Sequence, residues 1–252
     1  MSLIRTALRL CVIEALKGVT LAGLRVYDSR MDDISPETFA DDARAIALVM
    51  TDKDEGEAQS AQNGGPPFFR NTELSIEMGM VVRIKTEGAE DIIDYPDTDA
   101  RLEAALDLFE FQIIRCLQYS DNQLPTVFRR FWRITKYDCH RQMLDDTGVK
   151  IASRILMLTC LSGDDQVKIY NAAGTIPTGY DILSEPLRTI ANLLPVGSSG
   201  RNICDLIVAA STNLVVPEFT GIDTTVDGGN AVEGDVPSTE FSGTIDVETL
   251  PP

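Results

Sequence analysis

Between Phe68 and Lys85, Leu74, Ile76, Met78, Met80, Val82 and Ile84 alternate with Glu73, Ser75, Glu77, Gly79, Val81, Arg83 and Lys85. A period of two puts the first set on one face of a long strand and the second, mostly polar set on the other. The chain is therefore built around a strand with one buried face, and an element like this needs a partner strand and a covering layer. Residues 44–51 read as a second strand, and the polar residues 52–67 between the two contain Asp-Glu, Asn-Gly-Gly and Pro-Pro. Two extended runs joined this way describe a hairpin with a long exposed tip.

The remaining elements fit around that hairpin. Residues 2–17 form an amphipathic helix with Ser2 as N-cap, Ile4, Leu8, Cys11, Val12 and Ala15 at helical spacing, and Gly18 at its end. Such a helix has one face to bury. A short strand is expected over 24–28, followed by an acidic connection. From Thr98 the period becomes helical, with Leu102, Ala105, Leu106, Phe109, Ile113, Cys116 and Leu117 as a stripe and Asp97, Asp99 and Glu103 at the positive N-terminal end. Residues 124–131 read as helix and 132–138 as strand. Residues 148–161 form a last strand whose second half is apolar on both faces, as in a strand that is central or covered on both sides.

Beyond residue 163 the character changes. Two short helices are expected, one from Ser184 with Leu187, Ile190, Ala191 and Leu194, the other from Asn202 with Ile203, Leu206, Ile207 and Ala210. They are read as a satellite cluster. From Pro217 to the end there is no Lys or Arg, while Asp, Glu, Gly, Thr and Pro abound, which describes an acidic arm that orders only against a partner. The expected fold class is α+β: a mainly antiparallel sheet with a long β-hairpin, helices packed on one face, a C-terminal helical extension and an extended acidic arm. The corresponding divisions are an α+β core over 1–163, the small helical extension over 164–216 and the arm over 217–252.

Chemistry is sparse in this sequence. The single histidine, His140, adjoins Cys139, but neighbours in a strand point to opposite faces and do not form a nucleophile–base pair. The GxSxG, HExxH, GxxxxGK[ST] and GxGxxG motifs are absent. Asp32–Asp33, Asp41–Asp42, Asp145–Asp146 and Asp164–Asp165 fall in turns or loops without the alternate-residue oxygens around a glycine that calcium requires. No cofactor and no metal are expected. The five cysteines are widely spaced without a CxxC pair, which fits reduced core thiols, with a cross-subunit disulfide after assembly as the alternative. A formal charge of −17 argues against sequence-blind nucleic-acid binding, and neither a membrane span of about 20 apolar residues nor a signal peptide is expected. The one basic stretch interleaves Phe128, Phe131, Trp132 and Tyr137 with Arg129, Arg130, Arg133, Lys136 and Arg141. In an acidic chain these residues suit salt bridges to neighbouring subunits better than single-stranded nucleic acid.

The order of elements, with Ile4-Arg5-Thr6-Ala7-Leu8 leading to Leu24-Arg25-Val26-Tyr27-Asp28-Ser29-Arg30, then Arg70-Asn71-Thr72-Glu73-Leu74-Ser75-Ile76-Glu77 and residues 148–158, resembles the tail-terminator (tail-completion) proteins of tailed bacteriophages. The resemblance is one of pattern over roughly the first two thirds of the chain. It implies a structural virion protein, not an enzyme, assembled in the host cytoplasm as a six-membered homo-oligomeric ring. The ring would cap the tail tube protein, end tail polymerisation and join the tail to the head connector or neck proteins, with DNA passing through an acidic bore. On this reading the hairpin tip, with Asp54, Glu55, Gln59, Asn63 and Phe68, reaches the tube or a neighbour. Arg129, Arg130 and Arg133 meet adjacent subunits, and the arm with Glu218 and Phe219 drapes over one of them or the connector. A head-completion protein, neck adaptor or stopper is the second reading. An enzyme with an unrecognised carboxylate site is the third.

Overall fold

The computed structural model describes residues 3–29, 45–60, 62, 64–80, 99–144, 151–165 and 177–212. In chain order these form α1 (Ile4–Leu16), β1 (Val26–Asp28), β2 (Ala45–Ala58), β3 (Phe68–Met80), α2 (Asp99–Tyr119), α3 (Gln123–Phe131), β4 (Arg133–Leu144), β5 (Ile151–Gly163), a 3-10 turn (Gly179–Ile182), α4 (Leu187–Leu193) and α5 (Ser199–Thr212). The strands make one sheet in the order β1-β2-β3-β5-β4. Only the β1–β2 pair is parallel, and the helices lie on one side. The fold class is thus mixed α+β with a mainly antiparallel sheet.

The alternation in β3 does what its period requires. Leu74, Ile76 and Met78 are completely buried, and their ladder partners Val49 and Ala47 on β2 and Leu158 and Leu156 on β5 share that face. Phe109, Leu106 and Ile113 of α2 complete the core with Phe128 of α3. The expected apolar back face of β5 is only half-buried at Ile155, Met157 and Leu161, because the helices stack on the opposite side. Residues 81–85 of the expected strand lie outside the described residues.

Three differences from the sequence reading have physical causes. The first is the reach of β2: its pairing with β3 continues past Thr51 to Ala58, so the turn spans only residues 59–67. A bulge at Asp52 resets the register, after which Asp54 faces Thr72 and Gly56 faces Arg70. The polar sequence conceals this strand because polar pairs, not apolar ones, hold it together.

The second concerns α1, which has no exposed residue anywhere along its length. It touches β1, β2, β3, α2, α3 and α4, and it is held by two arginines whose charged ends leave the core. Arg5 donates to the Thr51 carbonyl at 2.7 Å, and Arg9 to Thr51 Oγ1 at 3.0 Å and Asp28 Oδ1 at 2.8 Å. Leu3 occupies the N-cap position and makes no side-chain cap bond.

The third concerns residues 183–204. Leu183, Leu187, Ile190, Ala191, Leu194 and Cys204 belong to the same buried cluster as the sheet face, and all described residues fall in one compact unit. Gly200 lets α5 approach closely, since a Cβ there would stand 3.3 Å from Leu10 Cδ2 and 3.4 Å from Leu194 Cδ1. The two helices therefore complete the core instead of decorating it. Replacing Ile190 with alanine should cost about 2–4 kcal/mol, as other buried aliphatic truncations do. Its urea unfolding should remain a single transition shared with Phe109→Ala, and a separate early transition for α4 and α5 would contradict the common core.

Candidate interaction surfaces

The hairpin is stiffened from within by a charge cluster. Arg70 of β3 makes ion pairs with Asp54 of β2 and, at 3.2 Å, with Asp164 just after β5. Thr72 Oγ1 donates to Asp54 at 3.1 Å, and the Phe68 amide donates to Asp164 at 3.4 Å. The Asp54 side chain is only 7% exposed, so it is committed to the fold and not offered to a partner. Asp164, expected in a solvated turn, is likewise consumed here. On the other face of β2 the picture reverses: Lys53, Glu55 and Glu57 are exposed, with a surface pair of 2.7 Å between Lys53 and Glu55. Pairs this exposed contribute little to stability.

At the turn, Gln59 is exposed and its amide donates to the Pro67 carbonyl at 3.1 Å, closing the hairpin end. Phe68 is half-buried over Gly56, while Phe69 on the opposite face is 50% exposed. Asn63, Glu218 and Phe219 lie outside the described residues.

The basic stretch divides the same way. Arg129 donates to the carbonyls of Leu117, at 3.1 Å, and Ser120, at 2.7 Å, and so satisfies the acceptors left open at the end of α2. Arg130 is exposed and stacks 5.2 Å from the centre of the Phe131 ring. Arg133 is exposed at the start of β4, and Lys136, Tyr137, His140 and Arg141 follow as exposed residues along that strand. Since β4 ends the sheet, one side of its backbone has no strand partner among the described residues. The outer side of β2 beyond Thr51 likewise has no strand partner among the described residues, because β1 pairs only with Ala47 to Val49.

A second surface lies on α2, where Leu108, Phe111 and Tyr119 are exposed, and Gln112 ties the turn after α1 to this helix by accepting from the Leu21 amide at 2.8 Å. Beneath that helix Arg154 of β5 donates to Glu103 at 2.7 Å, Asp107 at 2.6 Å and Glu110 at 3.2 Å. Burial alone would lower the Arg154 pKa; the three carboxylates outweigh it and raise it. Neither organising arginine is legible in the sequence, because each is partnered by residues remote in the chain.

Cys139 faces the helices and donates to Glu110 at 3.2 Å, whereas His140 faces the other way and lies 3.4 Å from Asp138. Burial, reinforced by Glu110, pushes the Cys139 thiol up to about 12. Burial likewise raises Cys160 to about 12, Cys204 to about 11, and Cys11 and Cys116 above their ordinary value. All five cysteines are free thiols, and four of them are buried. Among the described residues no group of three or more His, Cys, Asp or Glu could hold a metal ion, and no helix is long and apolar enough to cross a membrane. In comparisons with known proteins, no family model and no curated protein matches the chain.

Two expectations follow from these placements. Arg70→Met, which strands two carboxylates in a largely buried site, should lower the unfolding free energy by about 3 kcal/mol, whereas Glu55→Gln should change it by less than about 0.5 kcal/mol in the same urea titration. The thiols are protonated in the fold at pH values where they ionise in the unfolded chain. Their contribution to stability is therefore complete below the unfolded value of about 8.5 and is lost as pH rises above it. Denaturation at pH 7.5 and pH 10 should show that loss, and thiol labelling of the folded protein at pH 8 should be slow at every cysteine.

Proposed function

We propose that the chain is a structural virion protein of a tailed bacteriophage, a tail terminator that assembles as a ring, caps the tail tube, ends tail polymerisation and joins the tail to the head connector. The observation that carries this reading is a single sheet with its described helices on one side and with edge stretches of β2 and β4 that have no strand partner among the described residues, extended at one end by a polar hairpin that internal ion pairs hold rigid. A subunit of this shape has two different surfaces to offer to neighbours, which is what a head-to-tail ring requires. The element order on which the family resemblance rests supports the same reading: a helix, a short strand, a long hairpin, a long helix and a final strand.

In this account the work is done by interface complementarity, with no catalytic step. The exposed hairpin end, around Gln59 and the turn to Pro67, meets the tail tube or an adjacent subunit. Arg130 and Arg133 serve contacts between subunits. The negative charge of −17 suits a bore through which DNA slides without sticking, and the acidic segment with Glu218 and Phe219 is assigned to a neighbour or to the connector.

The experiment is a deletion of residues 59–66 bridged by Asn-Gly, which leaves both strands intact. The variant should fold with a thermal midpoint within a few degrees of the parent, because the described residues among those removed are all exposed. Phage carrying it should accumulate separate heads and unjoined tails in micrographs. Normal infectious particles would overturn the role given to the hairpin end, and a protein that stays monomeric even when mixed with tail tubes would overturn the ring.

A further inference from the structure

Two stretches of sheet edge without a strand partner among the described residues, on β2 and on β4, carry complementary charges in matching order. On β2 the side chains pointing away from the helices are, from the turn inward, Glu57, Glu55 and Lys53, which face Phe69, Asn71 and Glu73 of β3. The corresponding side chains on β4 are Arg133, Lys136 and Asp138, which face Leu161, Thr159 and Met157 of β5. Both series step by two ladder positions. In β4 this holds because a bulge at Thr135 carries the chain from Arg133 to Lys136, and in β2 because the bulge at Asp52 precedes Lys53.

Strand direction makes the match usable. β2 runs opposite to β3, β3 opposite to β5, and β5 opposite to β4, so β4 is antiparallel to β2. A second copy that continues the sheet in the same sense sets its β2 antiparallel to the first copy's β4. Sliding the copies so that Glu57 meets Arg133 then brings Glu55 to Lys136 and Lys53 to Asp138. Three successive cross-strand pairs are of opposite charge, on one face and in one register. A slide of one pair in the other direction sets Lys53 against Lys136, and like charges directly opposite are unfavourable.

We propose that copies of this chain join head to tail through this contact, the outer edge of β2 at residues 53–57 docking on the outer edge of β4 at residues 133–138. The inference deepens the ring reading and rests on it for closure: an interface between two different patches closes into a ring when the rotation allows and runs on as a filament when it does not. The ladder is short by construction. β1 occupies the β2 edge from Ala47 to Val49 and Arg5 takes the Thr51 carbonyl, so β4 must leave the shared edge beyond Asp138. The exposed pairs within one copy, Lys53 with Glu55 and His140 with Asp138, give way to pairs between copies. Free edges are otherwise a hazard, and these are short and charged, which restricts pairing to the matching sequence.

The test uses two full-length variants and their mixture. E55R/E57R makes both edges positive, and R133E/K136E makes both negative. Each alone should remain monomeric by light scattering at concentrations where the parent assembles. An equimolar mixture should assemble again, because every contact then joins opposite charges in alternating order, and this recovery also shows that both variants are folded. If both variants form the parental ring on their own, the edge contact is wrong while the ring reading stands. Failure of the mixture to assemble would overturn the proposed register. A parent that never self-associates would remove both the contact and the ring.

Discussion

A helix with no exposed residue must be covered on every side, and the rest of this structure follows from meeting that demand at α1. The sheet covers it from below, α2 and α3 flank it, and α4 with the start of α5 covers the remaining face through Leu10 and the close approach at Gly200. Nine of the residues in Ile4–Leu16 are buried, and burying side chains of this size contributes about 1.5–3 kcal/mol each for the larger ones before conformational entropy is counted. The polar heads of Arg5 and Arg9 escape toward Thr51 and Asp28, which ties the buried helix to the place where β2 bulges. Because the described helices gather on one side, the edge stretches of β2 and β4 have no strand partner among the described residues, and it is there that the proposed contact between copies is placed.

Charge is used in two distinct ways. Arg70 and Arg154 sit largely inside the molecule and gather carboxylates from separate elements, one fixing the hairpin to the end of β5 and the other fixing α2 across β5. Removing Arg70 would strand two acidic groups in a poorly hydrated place, whereas around Arg154 the Asp107 carboxylate remains exposed to water. The outward charges of β2 and β4 cost nothing to expose and do little for stability. Internal clamps therefore hold rigid the edges on which the surface charges are displayed, and rigid, preorganised edges lose less entropy on association.

The sequence made the apolar part of this fold legible and hid the polar part. Leu74, Ile76 and Met78 announced β3, and the stripe from Leu102 to Leu117 announced α2, because burial of alternate or every third and fourth residue leaves a periodic mark. Residues 53–58 left no such mark: their strand is held by Asp54, Thr72 and Arg70, and a charged strand reads as a loop. The envelope around α1 was half visible, since Leu10 and Ile13 fall outside the single stripe that the first helix shows, and its contact with α4, like the approach of Gly200 to Leu10, comes from residues remote in the chain. Among the interaction residues, Glu55, Gln59, Arg130 and Arg133 stand on the surface as expected, while Asp54 and Arg129 turned inward to partners that only tertiary structure supplies. Lys53, Glu57 and Asp138 were missed, and Lys136 stood only as one of a basic stretch, because their alignment on one face depends on two bulges.

Fold, surface and proposed role meet in the idea that this chain works by adding copies of itself edge to edge. Hydrogen exchange tests that directly, by comparing amide protection in the assembled protein and in dilute monomer. New protection should be confined to residues 52–58 and 133–138, with α2 unchanged. Protection that appears instead around Leu108, Phe111 and Tyr119, with both strand edges exchanging as fast as in the monomer, would contradict it.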